Sequence, residues 1–344
     1  GHQLDNSIDI YTQDIGILPI IEGKNKYFNI LVGGGLGSHH RQTQTFPRLA
    51  DELGMCKESE VIEVVKGIIA IQRDYGVRTD RKQARMKYLL EDWGIEKFKI
   101  ELESRINFKL EKYIKKSVAR IENYYGWHKQ KQENKFYCGI FIENGRIKDT
   151  ETVKLKSGLA EIIKKHNVET RLTATQDLIL VNIDKENIED ISSLLEKNNI
   201  DTNERYSNLR LASMACPALP TCSLAVAEAE RFLPSLIDQL DLRGFGNEKI
   251  KIRMSGCPNS CSRPPVSEIG LIGATANKYN IYLGGDFYGT RLNRLFLELV
   301  DDKELADKIS KLISYWKANR KDQKQAFGDF CNIEDFEVLR NVVV

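Results

Sequence analysis

Two rhythms of apolar and polar positions follow one another along this chain, and the same pair occurs twice. Asp14-Ile15-Gly16-Ile17, Asn25-Lys26-Tyr27 and Asn29-Ile30-Leu31-Val32-Gly33-Gly34-Gly35 predict a strand, a turn and a second strand ending in glycines. Far downstream, Glu268-Ile269-Gly270-Leu271, Asn277-Lys278-Tyr279 and Asn280-Ile281-Tyr282-Leu283-Gly284-Gly285 repeat that order. Each copy is followed by an amphipathic stretch of helical spacing, over 60–73 and 303–317. Order and spacing both hold, so the chain reads as a duplicated unit. The lead-ins are unequal, because only fourteen residues precede Ile15. Equal copies would put about 125 further residues in front of the first, which predicts a fragment or a processed form. A natively short first copy is the alternative.

Between the copies the pattern changes. Residues 77–125 read as basic and helical, crowding Arg78, Arg81, Lys82, Arg85 and Lys87. Then come a strand over 135–143, a hairpin signal at Asn144-Gly145, a helix over 159–166, a strand over 171–183 and a helix over 186–197. This β-β-α-β-α order predicts a small split αβ sandwich. Further on, 224–240 reads as a helix and 249–254 as a strand feeding into Gly256-Cys257. The expected domains are 1–125, an incomplete first copy; 126–200, a ferredoxin-like half; and 201–344, the second copy.

Composition narrows the class. With 344 residues, 41% hydrophobic and 29% charged, the chain can build two or three domains with their own cores. Basic and acidic residues number 51 and 49, so net charge gives no polyelectrolyte argument for nucleic acid. No apolar run approaches the roughly 20 residues of a membrane span, and no signal-peptide pattern opens the sequence. The expectation is a soluble cytoplasmic protein.

Cysteines carry the chemistry. Four of the seven fall in two pairs, Cys216-Pro217-Ala218-Leu219-Pro220-Thr221-Cys222 and Cys257-Pro258-Asn259-Ser260-Cys261, with 34 residues between. Four such thiolates suit a [4Fe–4S] cubane or a tetrahedral zinc ion. The first gap is wider than a structural zinc knuckle uses, which favours iron–sulfur. Two disulfides are the remaining reading, and they need an oxidising compartment. Cys56, Cys138 and Cys331 read as ordinary buried thiols. His39 and His40 invite a metal reading, but neighbours on a strand or helix face apart.

These residues carry a family resemblance. Ser213-Met214-Ala215-Cys216 through Cys222, continuing as Ala225-Val226-Ala227-Glu228-Ala229-Glu230-Arg231, is similar to the first cysteine block of sulfite and nitrite reductases that couple sirohaem to a [4Fe–4S] cluster. The likeness is greatest to the haemoprotein subunit of assimilatory sulfite reductase. Gly256-Cys257-Pro258-Asn259-Ser260-Cys261 resembles the second block. Gly33 to Gly35 and the stretch from Gln72-Arg73-Asp74 to Arg78-Thr79-Asp80-Arg81-Lys82 also resemble the family.

The resemblance implies an α+β fold: a duplicated sirohaem reductase domain with mixed sheets and flanking helices, plus a ferredoxin-like half-domain. It implies that Cys216, Cys222, Cys257 and Cys261 hold the cluster, with Cys261 also the axial ligand of the sirohaem iron. Asn259, Gly34, Gly35, Arg78, Arg81 and Lys82 would face the cofactor, the cations matching its carboxylates. The implied reaction is six-electron reduction of sulfite to sulfide. Nitrite reduction, or an electron-transfer module without haem, is the alternative. Ferredoxin or a flavoprotein reductase would donate the electrons. The stretch from Arg171 to Gln176 resembles a family strand motif, read here as structural. Ser260 and Ser262 depart from the glycine or alanine of many members, and Ser260 is expected to alter hydrogen bonding to sulfur.

Overall fold

The computed structural model describes residues 1–344 except 3, 4, 24, 40, 41, 43, 116–123, 203 and 204. It contains two compact units, one of residues 1–121, 216–229 and 250–344, the other of 122–215 and 230–249. The division is not that of three consecutive segments, because 201–215 and 230–249 belong with the middle of the chain.

In the first unit, β1 (Ile15–Glu22), β2 (Asn25–Val32) and β3 (Asp51–Lys57) pair antiparallel in that order. Two helices follow, α1 (Val61–Tyr75) and α2 (Met86–Arg105). α1 buries Val64, Ile68 and Ile71, spaced so that they share one helical face. Gly67 lies on the same face, where an added Cβ would stand 2.5 Å from Leu102 of α2, so glycine sets the close approach of the helices. Ile30, Val32, Leu53, Phe98 and Leu102 complete that core. The basic stretch is helical only in part: α2 breaks at Gly94 (φ 72°), 106–115 are irregular, and 116–123 lie outside the described residues.

The second unit contains β4 (Gly126–Lys129), β5 (Lys135–Ile140), α3 (Leu155–His166), β6 (Glu169–Leu172), β7 (Leu178–Asp184), α4 (Ile188–Lys197), α5 (Asn208–Leu211), β8 (Met214–Ala215) and α6 (Leu233–Leu242). Its four-stranded sheet is antiparallel in the order β4–β5–β7–β6, with Ile140, Ile162, Leu180, Ile191 and Leu195 in the core. Three expectations change here. Asn144-Gly145 closes no hairpin; β5 pairs with β4 and β7 instead. Asn144 takes a left-handed conformation (φ 50°), and its amide holds Ala215 N–H (2.9 Å) and Glu230 C=O (2.9 Å). The single strand expected over 171–183 is two, β6 and β7, because Thr173–Asp177 turns on its own hydrogen bonds. The helix expected over 224–240 is confined to α6, with Pro234 in its first turn where a missing N–H costs nothing.

The first unit resumes with β9 (Ile252–Ser255), β10 (Ile269–Thr275), β11 (Lys278–Leu283), β12 (Arg294–Asp301), α7 (Asp302–Asn319), α8 (Phe327–Ile333) and α9 (Phe336–Val343). β9 runs parallel to β10, while β10–β11 and β11–β12 are antiparallel. β10–β11–β12–α7 therefore repeats β1–β2–β3–α1, and the duplication is a fact of topology. α7 starts at Asp301, whose side chain accepts the Lys303 N–H, and buries Leu305, Ile309, Leu312, Ile313 and Trp316. The fold is α+β. Cys56, Cys138 and Cys331 are buried free thiols; burial pushes Cys56 up to about 11 and Cys138 to about 12. Among the described residues no helix is long and apolar enough to cross a membrane.

Asp177 is the polar centre of the second unit. It is 1% exposed and accepts the hydroxyls of Tyr124 (2.8 Å), Tyr125 (2.9 Å) and Thr175 (2.9 Å) and the Ile142 N–H (2.9 Å). Asp177→Ala strips all four donors of this acceptor, and the expected loss is about 3–5 kcal/mol of stability. A urea midpoint for that variant within error of wild type would contradict the assignment.

Candidate functional site

Strand β9 delivers the chain into a tight turn at Cys257–Cys261. Ser260 (φ 56°) and Arg263 (φ 60°) both adopt left-handed backbone, which favours glycine. Serine is accommodated at 260 because its hydroxyl donates to the Pro258 carbonyl (3.2 Å) rather than to a sulfur. Buried Ser262 donates its hydroxyl to Met254 C=O (2.6 Å) and lies 2.7 Å from Ser255 Oγ. The serine departures thus stitch the turn to the strand before it.

Residues 216–229 strap across this turn. Cys216 N–H donates to Met254 C=O (3.1 Å), and Val226 and Ala227 N–H both donate to Gly256 C=O (2.9 and 3.1 Å). These bonds commit the Val226 and Ala227 N–H groups to Gly256, so they are not free to start a helix there. A Cβ on Gly256 would lie 2.5 Å from the Ala227 carbonyl, so the strap's closeness requires glycine. Fully buried Tyr279 on β11 pins the far end by donating its hydroxyl to Glu228 C=O (2.7 Å).

The strap and turn bring the four thiols within range of one another's charge. The Cys261 thiol is raised by burial, then by Cys216, Cys257 and Cys222. Burial also raises Cys257, opposed by the Asn259 N–H and assisted by Cys216 and Cys222. Gly256 N–H points at Cys216 Sγ (3.4 Å). Cys261 is exposed, Cys222 half-buried and the other two buried. Among the described residues no three His, Cys, Asp or Glu side chains are arranged to hold a single ion. Four thiols in one neighbourhood are the donor set of a [4Fe–4S] cubane or a tetrahedral zinc ion. Backbone N–H donors at the sulfurs suit thiolate ligands of that kind.

A buried ionic group that the sequence did not reveal braces both flanks of the turn. Asp9, fully buried, accepts from Arg253 Nη1 (2.5 Å) and forms an ion pair with Arg263, whose Nε lies 2.6 Å away. Arg253 lies on β9 before Cys257, and Arg263 follows Cys261. Burial alone raises the Asp9 carboxyl, but Arg253, Lys251 and Arg263 outweigh it and hold Asp9 below its ordinary 3.8. Lys251, also buried, is lowered to about 8 by burial and then by Arg253. The one legible hint was an arginine inside the otherwise apolar strand Ile252–Ser255; its partner, 244 residues away, was not legible.

The other expected residues are dispersed. The close approach that Gly34 allows is by the chain's own backbone: a Cβ there would lie 2.4 Å from Tyr11 C=O and 2.7 Å from Gln13 C=O. Gly35 bridges to Arg48, with the Arg85 guanidinium against its Cα. Arg78, Arg81 and Lys82 are exposed on the link between α1 and α2; Arg78 donates to Gln72 C=O (3.3 Å), and Asp80 caps the Lys82 N–H. Asn259 lies in the turn beside Gly37. His39 borders a cavity of about 350 Å³ with Ser38, Pro258 and Glu298, and His40 lies outside the described residues. In the 171–176 motif, Arg171 pairs with Glu169, and Gln176 donates to Ala215 C=O (3.0 Å).

Duplicated sheets and a thiol-lined turn define the class, an α+β protein with a site for an iron–sulfur cluster. Residues 3–110 and 210–341 match the family described as the nitrite and sulphite reductase 4Fe-4S domain, and 128–198 match the nitrite/sulfite reductase ferredoxin-like half domain. The chain belongs to the nitrite and sulphite reductase family. It is 44% identical over 331 residues to the sulfite reductase [NADPH] hemoprotein beta-component of Oceanobacillus iheyensis, and 42% identical over 330 residues to that of Bacillus subtilis. Each alignment covers 94% of this chain and 57% of the relative, so the chain spans a little over half of their length. Among solved structures, the NirA protein of Mycobacterium tuberculosis shares the fold, with a TM-score of 0.78 and 24% identity over 97% of this chain and 62% of that one.

Asp9→Asn removes the charge shared by buried Arg253 and half-buried Arg263, and the expected cost is about 3–5 kcal/mol at neutral pH. Because Asp9 titrates below its unfolded value, the wild-type advantage is full above about pH 4 and vanishes as pH falls through the folded value. Chemical denaturation of both proteins from pH 7 to 3 checks this; equal stability at pH 7 would contradict it.

Proposed function

We propose that this chain is the cofactor-binding part of a sulfite reductase haemoprotein, in which Cys216, Cys222, Cys257 and Cys261 hold a [4Fe–4S] cluster and Cys261 also binds the iron of a sirohaem. The observation that carries this reading is the four-thiol neighbourhood built by the 216–229 strap and the Cys257–Cys261 turn. Exposure of Cys261, alone among the four, supports giving it the second role, since its sulfur would be open to a second group. When bound, the two cofactors would relay electrons from an external donor, six in all for each sulfite reduced to sulfide, to an iron that binds the anion.

The chain's own residues hold, shield and charge that site. The Gly256 N–H points at Cys216 Sγ, and the Asn259 N–H opposes the burial that raises Cys257. Arg253, Arg263 and Lys251 outnumber Asp9 and Glu268 beside the turn, and this cationic character suits an anionic substrate and a polycarboxylate cofactor. Asn259, Gly34, Gly35, Arg78, Arg81 and Lys82 belong to this reading as cofactor-facing residues. Of these, Asn259 lies in the cysteine turn itself. The relatives' names favour an NADPH-oxidising flavoprotein over ferredoxin as donor. Nitrite is the alternative substrate. A reducing cytoplasm suits the free thiols.

Anaerobic loading of the chain with iron, sulfide and sirohaem tests the proposal. The expected product carries about four irons and four sulfides per chain beside the haem, with Soret and red bands in its visible spectrum. Alanine at Cys216, Cys222 or Cys257 is expected to abolish the cluster. The loaded protein, given reduced methyl viologen, is expected to turn over sulfite in preference to nitrite. A colourless, zinc-bound product would overturn the reading, and nitrite preference would overturn the choice of substrate.

A further inference from the structure

Lys87 is the one lysine in the first unit that is wholly buried (0% exposed) with no ion pair among the described residues. Its ammonium donates to three backbone carbonyls, Gly37 (2.7 Å), Phe46 (2.5 Å) and Gly35 (3.2 Å). The rings of Tyr88 and Phe46 lie 5.0 and 5.8 Å away. Three donors meet three acceptors, a match that no neutral side chain offers. Burial, then Arg85, lowers the lysine to about 8, with Asp14 opposing. A charge is kept here at a cost, so its position has a use.

Those carbonyls come from both arms of the loop that follows β2, and the ammonium closes its base. The link continues through one peptide group. The Gly37 carbonyl accepts from Lys87, while the N–H of the same peptide, on Ser38, donates to the Pro258 carbonyl (3.0 Å). Ser38 Oγ approaches the same oxygen (3.5 Å), and the Asn259 carbonyl lies 3.4 Å from where a Gly37 Cβ would stand. A cation at the oxygen end of a peptide polarises its N–H and strengthens the bond beyond it. Pro258 lies between Cys257 and Asn259.

We propose that Lys87 is a positioning residue for the Cys257–Cys261 turn, acting through the Gly37–Ser38 peptide on the Pro258 carbonyl. The physical coupling stands on geometry alone; its consequence for a cluster rests on the function proposed above. Neither the glycine run nor the exposed basic residues near Lys87 in sequence play this part.

Hydrogen–deuterium exchange compares wild type with Lys87→Met and Lys87→Gln, before and after anaerobic iron–sulfur loading, and EPR follows the reduced loaded proteins. Loss of a charge-assisted bond is expected to speed exchange about tenfold over 34–46 and also over 255–263, while α1 stays as in wild type. The loaded variants are expected to show shifted g-values or faster cluster loss. Should Lys87→Met not fold, Lys87→Gln, which keeps two donors, carries the same comparison. Loosening of 34–46 with 255–263 and the EPR spectrum unchanged would overturn the proposal, leaving Lys87 a local loop latch. Loosening of both segments in a protein whose wild type takes up no cluster would uphold the coupling and overturn the cluster reading instead.

Discussion

The carboxylate of Asp9, held between Arg253 and Arg263, is the interaction on which the cysteine turn depends. A five-residue loop with two left-handed residues at or just beyond it has little stability of its own. It becomes a fixed scaffold because its flanking arginines are tied to one buried anion from the opposite end of the chain. Dissolving that pair would leave buried guanidinium groups uncompensated, so the ionic lock commits the two repeats to a common arrangement within their unit. The strap over residues 216–229 then adds backbone hydrogen bonds to Gly256, and the thiols meet as a consequence.

Duplication explains why such an arrangement is available. Each repeat gives an antiparallel meander followed by a helix, and each ends its second strand in glycines. The first repeat contributes the Asp9 segment and the loop that touches Pro258; the second contributes the turn itself. One copy supplies the cysteine turn, and the other supplies groups that hold that turn still.

Much of this was legible in the chain. Helices α1 and α7 declared themselves by apolar spacing, the repeat by shared order, and the cysteine pairs by their chemistry. Illegible parts share a cause, which is that distant partners decided them. The stretch 224–232 has helical composition, but the Val226 and Ala227 N–H groups are taken by the Gly256 carbonyl. Asn144-Gly145 has hairpin composition, but its amide serves Ala215 and Glu230. Strand β12 is mostly exposed, so its burial rhythm is faint. Lys87 sat in an obvious basic cluster, yet it is the buried member, with no sequence signal separating it from its exposed neighbours.

The account's central claim is that Cys261 belongs to two metal centres at once. Mössbauer spectroscopy of the 57Fe-loaded, sirohaem-containing protein tests it most directly, because a bridging thiolate couples haem and cluster electrons into one spin system. The account predicts that every cluster iron senses the paramagnetism of the haem in the oxidised protein. A diamagnetic cluster signal, indifferent to the haem spin, would contradict it.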